Sequence, residues 1–429
     1  MRRSLLPRVP YNPPAWAESL VAPKYGRVPF AALPTPLMRW ACPELEELGV
    51  EWWIKRDDCS GVELSGNKAR KLEFLMAEAV ERGHDCVVTI GGLQSNHCRA
   101  TAAAARLVGL EPHIVLLVRD REIDHEVGME GNLLMDRMMG AKLHLAAASD
   151  YLRLGGDLAA MDKLNTVAAE SLKADGRNPY VVPVGGTGGD FAEDGLPIGS
   201  WGYIAAAAEL CEQTQAAASS STAAGAPPAS FDHVVIAAGS GGSASGLAIG
   251  LHLAPISTTL HAVNVQHTPD VYYKLVEEEA RALGMPPTAM PPTGARGLLQ
   301  IHNGGTRGYG NASPEELEMI RRIGAASGVV LDHVYTGRAL FHFCEHARAS
   351  PETFRGKRIL FWHTGGLAGL YAQAGRLTAM VDAPKRLRVD PNGDTPIWRP
   401  GPAAVSTDAS QPKSEPRKVA DVSDTKGFA

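Results

Sequence analysis

The chain has 429 residues, 45% of them hydrophobic, which is enough to bury the core of a two-domain globular protein. Its 42 basic and 47 acidic residues are interspersed and leave a net charge of -5, so there is no broad basic field of the kind a nucleic acid would need. No apolar run approaches the roughly 18 residues of a membrane-crossing helix, and the scattered cysteines lack metal-ligand spacing. Free thiols in a reducing compartment are therefore expected, with no metal and no transmembrane segment.

The N-terminal MRRSLLPRVPYNPPAWAE is basic, with no acid before Glu18, a composition shared with organelle-targeting segments. Its prolines oppose a long presequence helix, so cytoplasm and mitochondrion stand as alternatives. EWWIKRDD reads as a short strand ending in a charged loop. In SGNKARK, Gly66 supplies a flexible turn and Asn67 a candidate N-cap ahead of Lys68. Leu72, Leu75, Met76, Ala79 and Val80 follow at helical spacing and predict a helix over 68–82. A lysine at such a helix start is either solvated surface or a side chain that reaches a bound group, and spacing alone leaves both open.

DCVVTIGG, an apolar run ending in glycines, predicts a buried parallel strand. A helix over 96–108 follows, with Ala100, Ala103, Ala104 and Leu107 on a small-residue face suited to close packing. The alternation continues with strand PHIVLLVRD, a helix over 130–139, strand AKLHL and a helix over 158–173. It predicts a small α/β domain over 72–180 beside a larger one made of 1–71 and 181–385. PYVVPVGG returns as a strand and a helix follows over 203–209, before QTQAAASSSTAAGAPPAS. That low-complexity run, 213–230, has too few large apolar groups to offset ordering entropy and is expected to be a loose surface insertion.

The larger α/β region resumes with FDHVVIAAGSGG, a helix, strand LHAVNVQ and a helix over 269–283. SPEELEMIRRIGAASG reads as a capped helix ending at glycine. GVVLDHVYTGRALFHFCEHA is expected to give a strand, a glycine turn and a helix, and KRILFWHTGG the last core strand. Residues 386–429 are expected to form a mobile tail.

VVIAAGSGGSASG places a strand directly before Gly239, Ser240, Gly241, Gly242, Ser243, Ala244, Ser245 and Gly246. Small residues let backbone approach a phosphate, and N–H groups at a helix start supply positive potential. The run lacks the lysine of a nucleotide P-loop and the dinucleotide spacing, and HAVNVQHT offers no acidic ribose partner. A single phosphate on a compact cofactor fits; a glycine turn that merely packs strand on helix fits equally well. Ser95, Asn96 and His97 fall at a helix start where backbone donors can receive a carboxylate, with Asn96 alternatively a cap. His363, Thr364 and Gly365 end the last strand, where open α/β sheets place ligands.

KRDDCSG, GNKARKLEFL, GGLQSNHCR, GSGGSASG, GYG, VYTGRA and LFWHTGG, in this order, resemble the pyridoxal-phosphate family containing D-cysteine desulfhydrase and 1-aminocyclopropane-1-carboxylate deaminase. The resemblance implies an α/β fold of type II, like tryptophan synthase β, with pyridoxal 5'-phosphate between two open-sheet domains. On this resemblance Lys68 forms the Schiff base with the cofactor aldehyde, and the loop from Gly239 to Gly246 holds the phosphate. Asn96 bonds the phenolic oxygen and Thr364 faces the pyridine nitrogen. Ser95, Asn96 and His97 surround the carboxylate of a small amino-acid substrate, while Tyr309 and Tyr335 approach its reacting end. A homodimer is implied as well.

The deaminase pattern resembles VYEG and HLGG, whereas this chain has Val334-Tyr335-Thr336-Gly337 and His363-Thr364-Gly365. A carboxylate supports the protonated pyridine nitrogen that cyclopropane opening demands, and threonine cannot. The resemblance thus favours D-cysteine desulfhydrase, with the deaminase and a noncatalytic metabolite-binding protein as alternatives. Two departures stand out: GGTRGYG brings Thr306 and Arg307 before Tyr309, and VGGTGGDFAEDGLPIGSWGY brings Asp190, Glu193 and Asp194 to the cleft rim. Arg70 and Lys71 either lend positive potential to Lys68, face solvent or bind structural carboxylates. His363, Cys59 and Cys98 have no neighbours that make a metal ligand or thiol catalyst.

Overall fold

The computed structural model describes residues 6–123, 125–186, 195–219, 227–305, 308–377, 381, 386–389 and 396–399. Strand β1 (Leu37–Arg39) pairs antiparallel with β2 (Glu51–Arg56) and opens the larger sheet. Helix α1 (Lys68–Glu81) leads to a smaller, wholly parallel sheet of β3 (Cys86–Gly92), β4 (Glu111–Val118), β5 (Lys142–Ala147) and β6 (Pro179–Val181), in spatial order β5-β4-β3-β6. Its connections are α2 (Asn96–Leu107), α3 (Gly131–Met138), α4 (Ala148–Arg153) and α5 (Leu158–Ala174).

Helix α6 (Trp201–Ser219) leads back to the larger sheet, which β7 (His233–Ala238), β8 (Thr259–Asn264), β9 (Gln300–Asn303) and β10 (Arg358–His363) complete in the order β1-β2-β10-β7-β8-β9. These four strands pair in parallel, and β10 runs parallel to β2. The intervening helices are α7 (Gly242–Leu253), α8 (Pro269–Ala282), α9 (Pro314–Ser327), α10 (Thr336–Ala349) and α11 (Pro351–Phe354), and α12 (Leu367–Tyr371) follows β10. Parallel connections put helices on the sheet faces, which is why the apolar runs of β3 and β7 are buried on both sides.

Helix α1 is buried on every side from Ala69 to Ala79, because α2 packs against it and so does α6. Ala100, Ala103 and Ala104 let α2 come close. The buried acids of α1 are satisfied: Ala31 N donates to Glu73 at 2.9 Å, and Tyr180 Oη donates to Glu78 at 2.6 Å. A buried network then fixes the first turn. Arg70 donates to Asp57 at 2.8 and 3.0 Å and to Glu209 at 2.9 Å, while Lys55 pairs with Glu209. Tyr203 and Trp362 each donate to Asp57 at 2.7 Å. Burial alone would raise the Asp57 carboxyl, yet Arg70 and Lys55 hold it down to about 2. Arg70 therefore binds structural carboxylates rather than facing solvent.

A second polar row crosses the larger sheet. His233 Nδ1 lies 3.0 Å from His261 Nε2, and His261 Nδ1 lies 2.8 Å from His302 Nε2. Burial and then the neighbouring imidazoles push His261 down to about 2, and burial with His346 pushes His302 to about 4. At the N-terminus, Tyr11 meets Phe74 edge-on at 5.0 Å and Trp201 at 5.7 Å, so this part of the basic segment packs on the core.

Several expectations need correction. Helix α6 runs on to Ser219, into the expected insertion, because Gln and Ala sustain helix well; residues 220–226 lie outside those described. No strand forms at GVVLD. The Asp332 carboxylate instead accepts from the amides of Val334 and Tyr335 at 2.9 Å and of Thr336 at 2.7 Å, turning the chain directly into α10. Both sheets fall within one compact unit by contacts, whose described residues run from 6 to 372. Within the expected tail, β11 (Arg386–Val389) and β12 (Pro396–Arg399) pair antiparallel, and the remainder lies outside the described residues.

Candidate active site

The C-terminal ends of β3, β7 and β10 and the starts of α1, α2 and α7 converge on one cavity. Parallel strands leave their carboxyl ends open to a ligand, and helix starts point unbonded N–H groups at it. Lys68, Ser95, Asn96, His97, Gly239, Ser240, Gly241, Ser243, Ala244, Tyr309, Tyr335 and Thr364 all line this cavity.

Gly242, Ser245 and Gly246 do not line it. Gly242 begins α7, while Ser245 N already donates to Gly241 O at 2.9 Å and so belongs to the helix ladder. Gly246 faces Ser200 and Tyr203, a helix-packing role. The amides that precede the first ladder bond, and so lie at the open start of α7, are those of Gly242, Ser243 and Ala244.

Lys68 opens α1 from a turn that reaches three elements. Gly66 has φ 109°, and a Cβ there would lie 2.7 Å from Thr364 O, so the turn rests directly on the end of β10. Asn67 N donates to Thr364 O at 3.1 Å. Asn67 Nδ2 donates to Ser243 Oγ at 2.9 Å and makes no cap to its own helix, contrary to the expected N-cap. Lys68 Nζ donates to Gly185 O at 3.0 Å, and burial lowers its affinity for a proton to a pKa of about 8. The solvated-surface alternative is thereby removed. Lys71 is buried too; desolvation and the Lys68 charge lower it, opposed by Glu279.

Helix α2 is capped by Ser95, whose Oγ accepts from Cys98 N at 3.2 Å, so the cap falls one residue before the expected Asn96. Asn96 Oδ1 instead accepts from Asn132 Nδ2 at 3.0 Å. Thr89 Oγ1 donates to Val182 O at 3.1 Å and lies 2.8 Å from His97 Nε2, which therefore carries the proton of that contact. Burial, then the Lys68 and Lys71 charges, keep His97 neutral.

Tyr309 Oη and Tyr335 Oη lie 2.5 Å apart, with the rings edge to face. Burial pushes Tyr309 up to about 12 and Tyr335 well above its ordinary value, so both stay phenols. A Cβ on Gly239 would lie 2.8 Å from the Tyr335 ring, which explains a glycine there. Thr336 does not line the cavity: its hydroxyl donates to Asp332 at 2.7 Å. His363 is neutral, accepting from Gly365 N at 3.2 Å, and shapes the loop. Cys98 is buried with its thiol raised by burial, and neither it nor Cys59 lines the cavity.

Asn67, Gly185 and Gln266 also line the cavity and were not singled out as site residues in sequence. Gln266 lies two residues beyond β8, and that position at a strand's carboxyl end was the one signal available. Asp190, Glu193, Asp194, Thr306 and Arg307 lie outside the described residues.

A desolvated lysine facing a helix-start anion cradle, with an amide and a hydroxyl alongside, suits a phosphorylated aldehyde held covalently and at its phosphate. These are features of a cofactor-dependent enzyme. Residues 28–365 match the pyridoxal-phosphate dependent enzyme family, and the chain belongs to it, with pyridoxal 5'-phosphate as cofactor and a fold of type II. Its relatives include a bifunctional D-cysteine desulfhydrase/1-aminocyclopropane-1-carboxylate deaminase, mitochondrial, from Arabidopsis thaliana, 38% identical over 384 residues, 90% of this chain and 89% of that protein. A D-cysteine desulfhydrase of Salmonella typhimurium is 31% identical over 354 residues, 81% of this chain and 96% of that protein. The crystal structure of an ACC deaminase homologue superposes with a TM-score of 0.67 at 31% identity, over 83% of this chain and 97% of that one. These relatives make the family chemistry that of a pyridoxal-phosphate-dependent lyase. Among the described residues no helix is long and apolar enough to cross a membrane.

Proposed function

We propose that this chain is a D-cysteine desulfhydrase, converting D-cysteine and water to pyruvate, hydrogen sulfide and ammonia. The observation that carries the choice is the absence of any Asp or Glu among the described residues lining the cavity, where Thr364 is the polar group at the end of β10. A neutral hydroxyl does not hold a proton on the pyridine nitrogen as a carboxylate does, and loss of a thiolate needs less electron withdrawal than opening a cyclopropane ring.

Pyridoxal phosphate, when bound, supplies the conjugated sink for the charge left at the substrate α-carbon. Lys68 would hold its aldehyde, and Gly239 to Ala244 with the start of α7 would receive its phosphate. Lys68 Nζ would be the base that takes the substrate α-proton, and its lowered pKa of about 8 would keep a useful neutral fraction near neutral pH. The start of α2, with Ser95 and Asn96, receives the substrate carboxylate. His97, neutral and tied to Thr89, shapes that wall without adding charge. Tyr309 and Tyr335 share one hydrogen bond, which leaves one hydroxyl proton to donate to the departing sulfur.

A second activity, deamination of 1-aminocyclopropane-1-carboxylate to 2-oxobutanoate, is supported by the bifunctional name of the Arabidopsis relative. We further propose that the chain acts as a homodimer, which light scattering tests. The function is tested by parallel assays of D-cysteine, L-cysteine and the cyclopropane amino acid, with sulfide and keto acids measured. Sulfide and pyruvate from D-cysteine are expected; efficient turnover of the cyclopropane substrate alone overturns the assignment.

A further inference from the structure

Asn132 lies in the first turn of α3, fully buried and outside the cavity lining, yet it touches Asn96. An amide presents either oxygen or NH2, and that choice decides whether it accepts or donates. Both ends of Asn132 meet partners with a single role. Its Oδ1 accepts from Arg99 Nε at 2.7 Å, and a guanidinium has no acceptor. Its Nδ2 donates to the backbone oxygen of Gln94 at 2.8 Å, and a carbonyl has no proton to give. The same Nδ2 reaches Asn96 Oδ1 at 3.0 Å, so the oxygen of Asn96 is engaged from outside and its NH2 is the end left to the cavity.

We infer that Asn132 is a positioning residue that fixes Asn96 as a hydrogen-bond donor toward the cofactor's phenolic oxygen. The inference rests on the part given to Asn96 by resemblance to the family. Its anchors are shared with Lys68: Arg99 also donates to Ser65 O at 2.8 Å, in the turn that leads into α1. Asn132 N donates to the side-chain oxygen of Gln94 at 3.0 Å, fixing the start of α3 against the loop that carries Ser95 and Asn96. One guanidinium thus holds both the lysine turn and the amide that faces it.

Asn132→Asp keeps size but offers only acceptors, so Asn96 turns its NH2 outward and its oxygen into the cavity. Asn132→Ser removes the link without adding charge and serves if the first variant fails to fold. In both, the visible band of the bound cofactor is expected to move to shorter wavelength as the phenolic oxygen keeps its proton. The dissociation constant for pyridoxal phosphate should rise roughly ten- to hundredfold. Asn96→Ala combined with Asn132→Ser should be no weaker than Asn96→Ala alone, because the two act in series. A normal wild-type band with unchanged spectra in both Asn132 variants, or additive losses in the double variant, overturns this inference alone. A wild-type protein that forms no band on Lys68 overturns it together with the proposed function.

Discussion

Asn67 Nδ2 donates to Ser243 Oγ at 2.9 Å, joining the turn that presents Lys68 to the first turn of α7. One side chain thereby ties the turn of the proposed Schiff-base lysine to the proposed phosphate end of the site. Asn67→Ala should remove a single hydrogen bond worth about 1 kcal/mol, weakening pyridoxal phosphate binding roughly fivefold. Cofactor titration of the apoprotein measures this, and thermal stability should change little.

The Tyr309 and Tyr335 hydroxyls act as a pair, so their removals should not add. Tyr335→Phe or Tyr309→Phe should lower kcat/KM for D-cysteine on the order of a hundredfold, with the double variant scarcely worse. Additive losses in a double-mutant cycle would show two independent roles.

Burial disfavours the ammonium form of Lys68 and brings its pKa to about 8 from the ordinary 10.5. The neutral amine that condenses with an aldehyde therefore predominates above about pH 8. The rate at which apoprotein takes up pyridoxal phosphate should rise with pH and level off just above that value. A rise continuing to the ordinary lysine range would contradict the burial of Nζ.

Much of this site was legible because its parts are local. A glycine turn ahead of Lys68, a strand running into GSGGSASG and small residues at the end of β10 each announce backbone that must approach a ligand. Asn132 was not legible, since EGNLL has no distinctive pattern and its value comes from a contact 36 residues away. The three-residue β1 and four-residue β9 exist through distant partners, so their short sequences carry no period. GVVLD has strand composition, and a single carboxylate, Asp332, overrides it by taking three successive amides.

The histidine row is expected to make the fold acid-sensitive. The folded pKa values of His261, about 2, and His302, about 4, lie below the unfolded value near 6.5. Their contribution is fully present above pH 6.5 and is lost as pH falls toward the folded values, because the unfolded chain takes up protons first. His233, His302 and His346 are the titratable neighbours that lower His261. Thermal midpoints should fall from pH 6.5 to 4, and His261→Asn should flatten that slope.

Asp57 accepts from Arg70, Tyr203 and Trp362 with no exposure to solvent. Asp57→Ala leaves Arg70 with part of its charge unmatched and should cost about 3–5 kcal/mol in denaturant unfolding. Because Arg70 lies two residues after Lys68, cofactor affinity should fall as well.

Lys68 is the proposed point of covalent attachment for the cofactor. Borohydride reduction of the pyridoxal-phosphate-loaded protein, followed by peptide mapping, tests it most directly. A single phosphopyridoxyl adduct on Lys68, abolished in Lys68→Ala, is the expected result. An adduct on Lys71 or another lysine, or none, would contradict it.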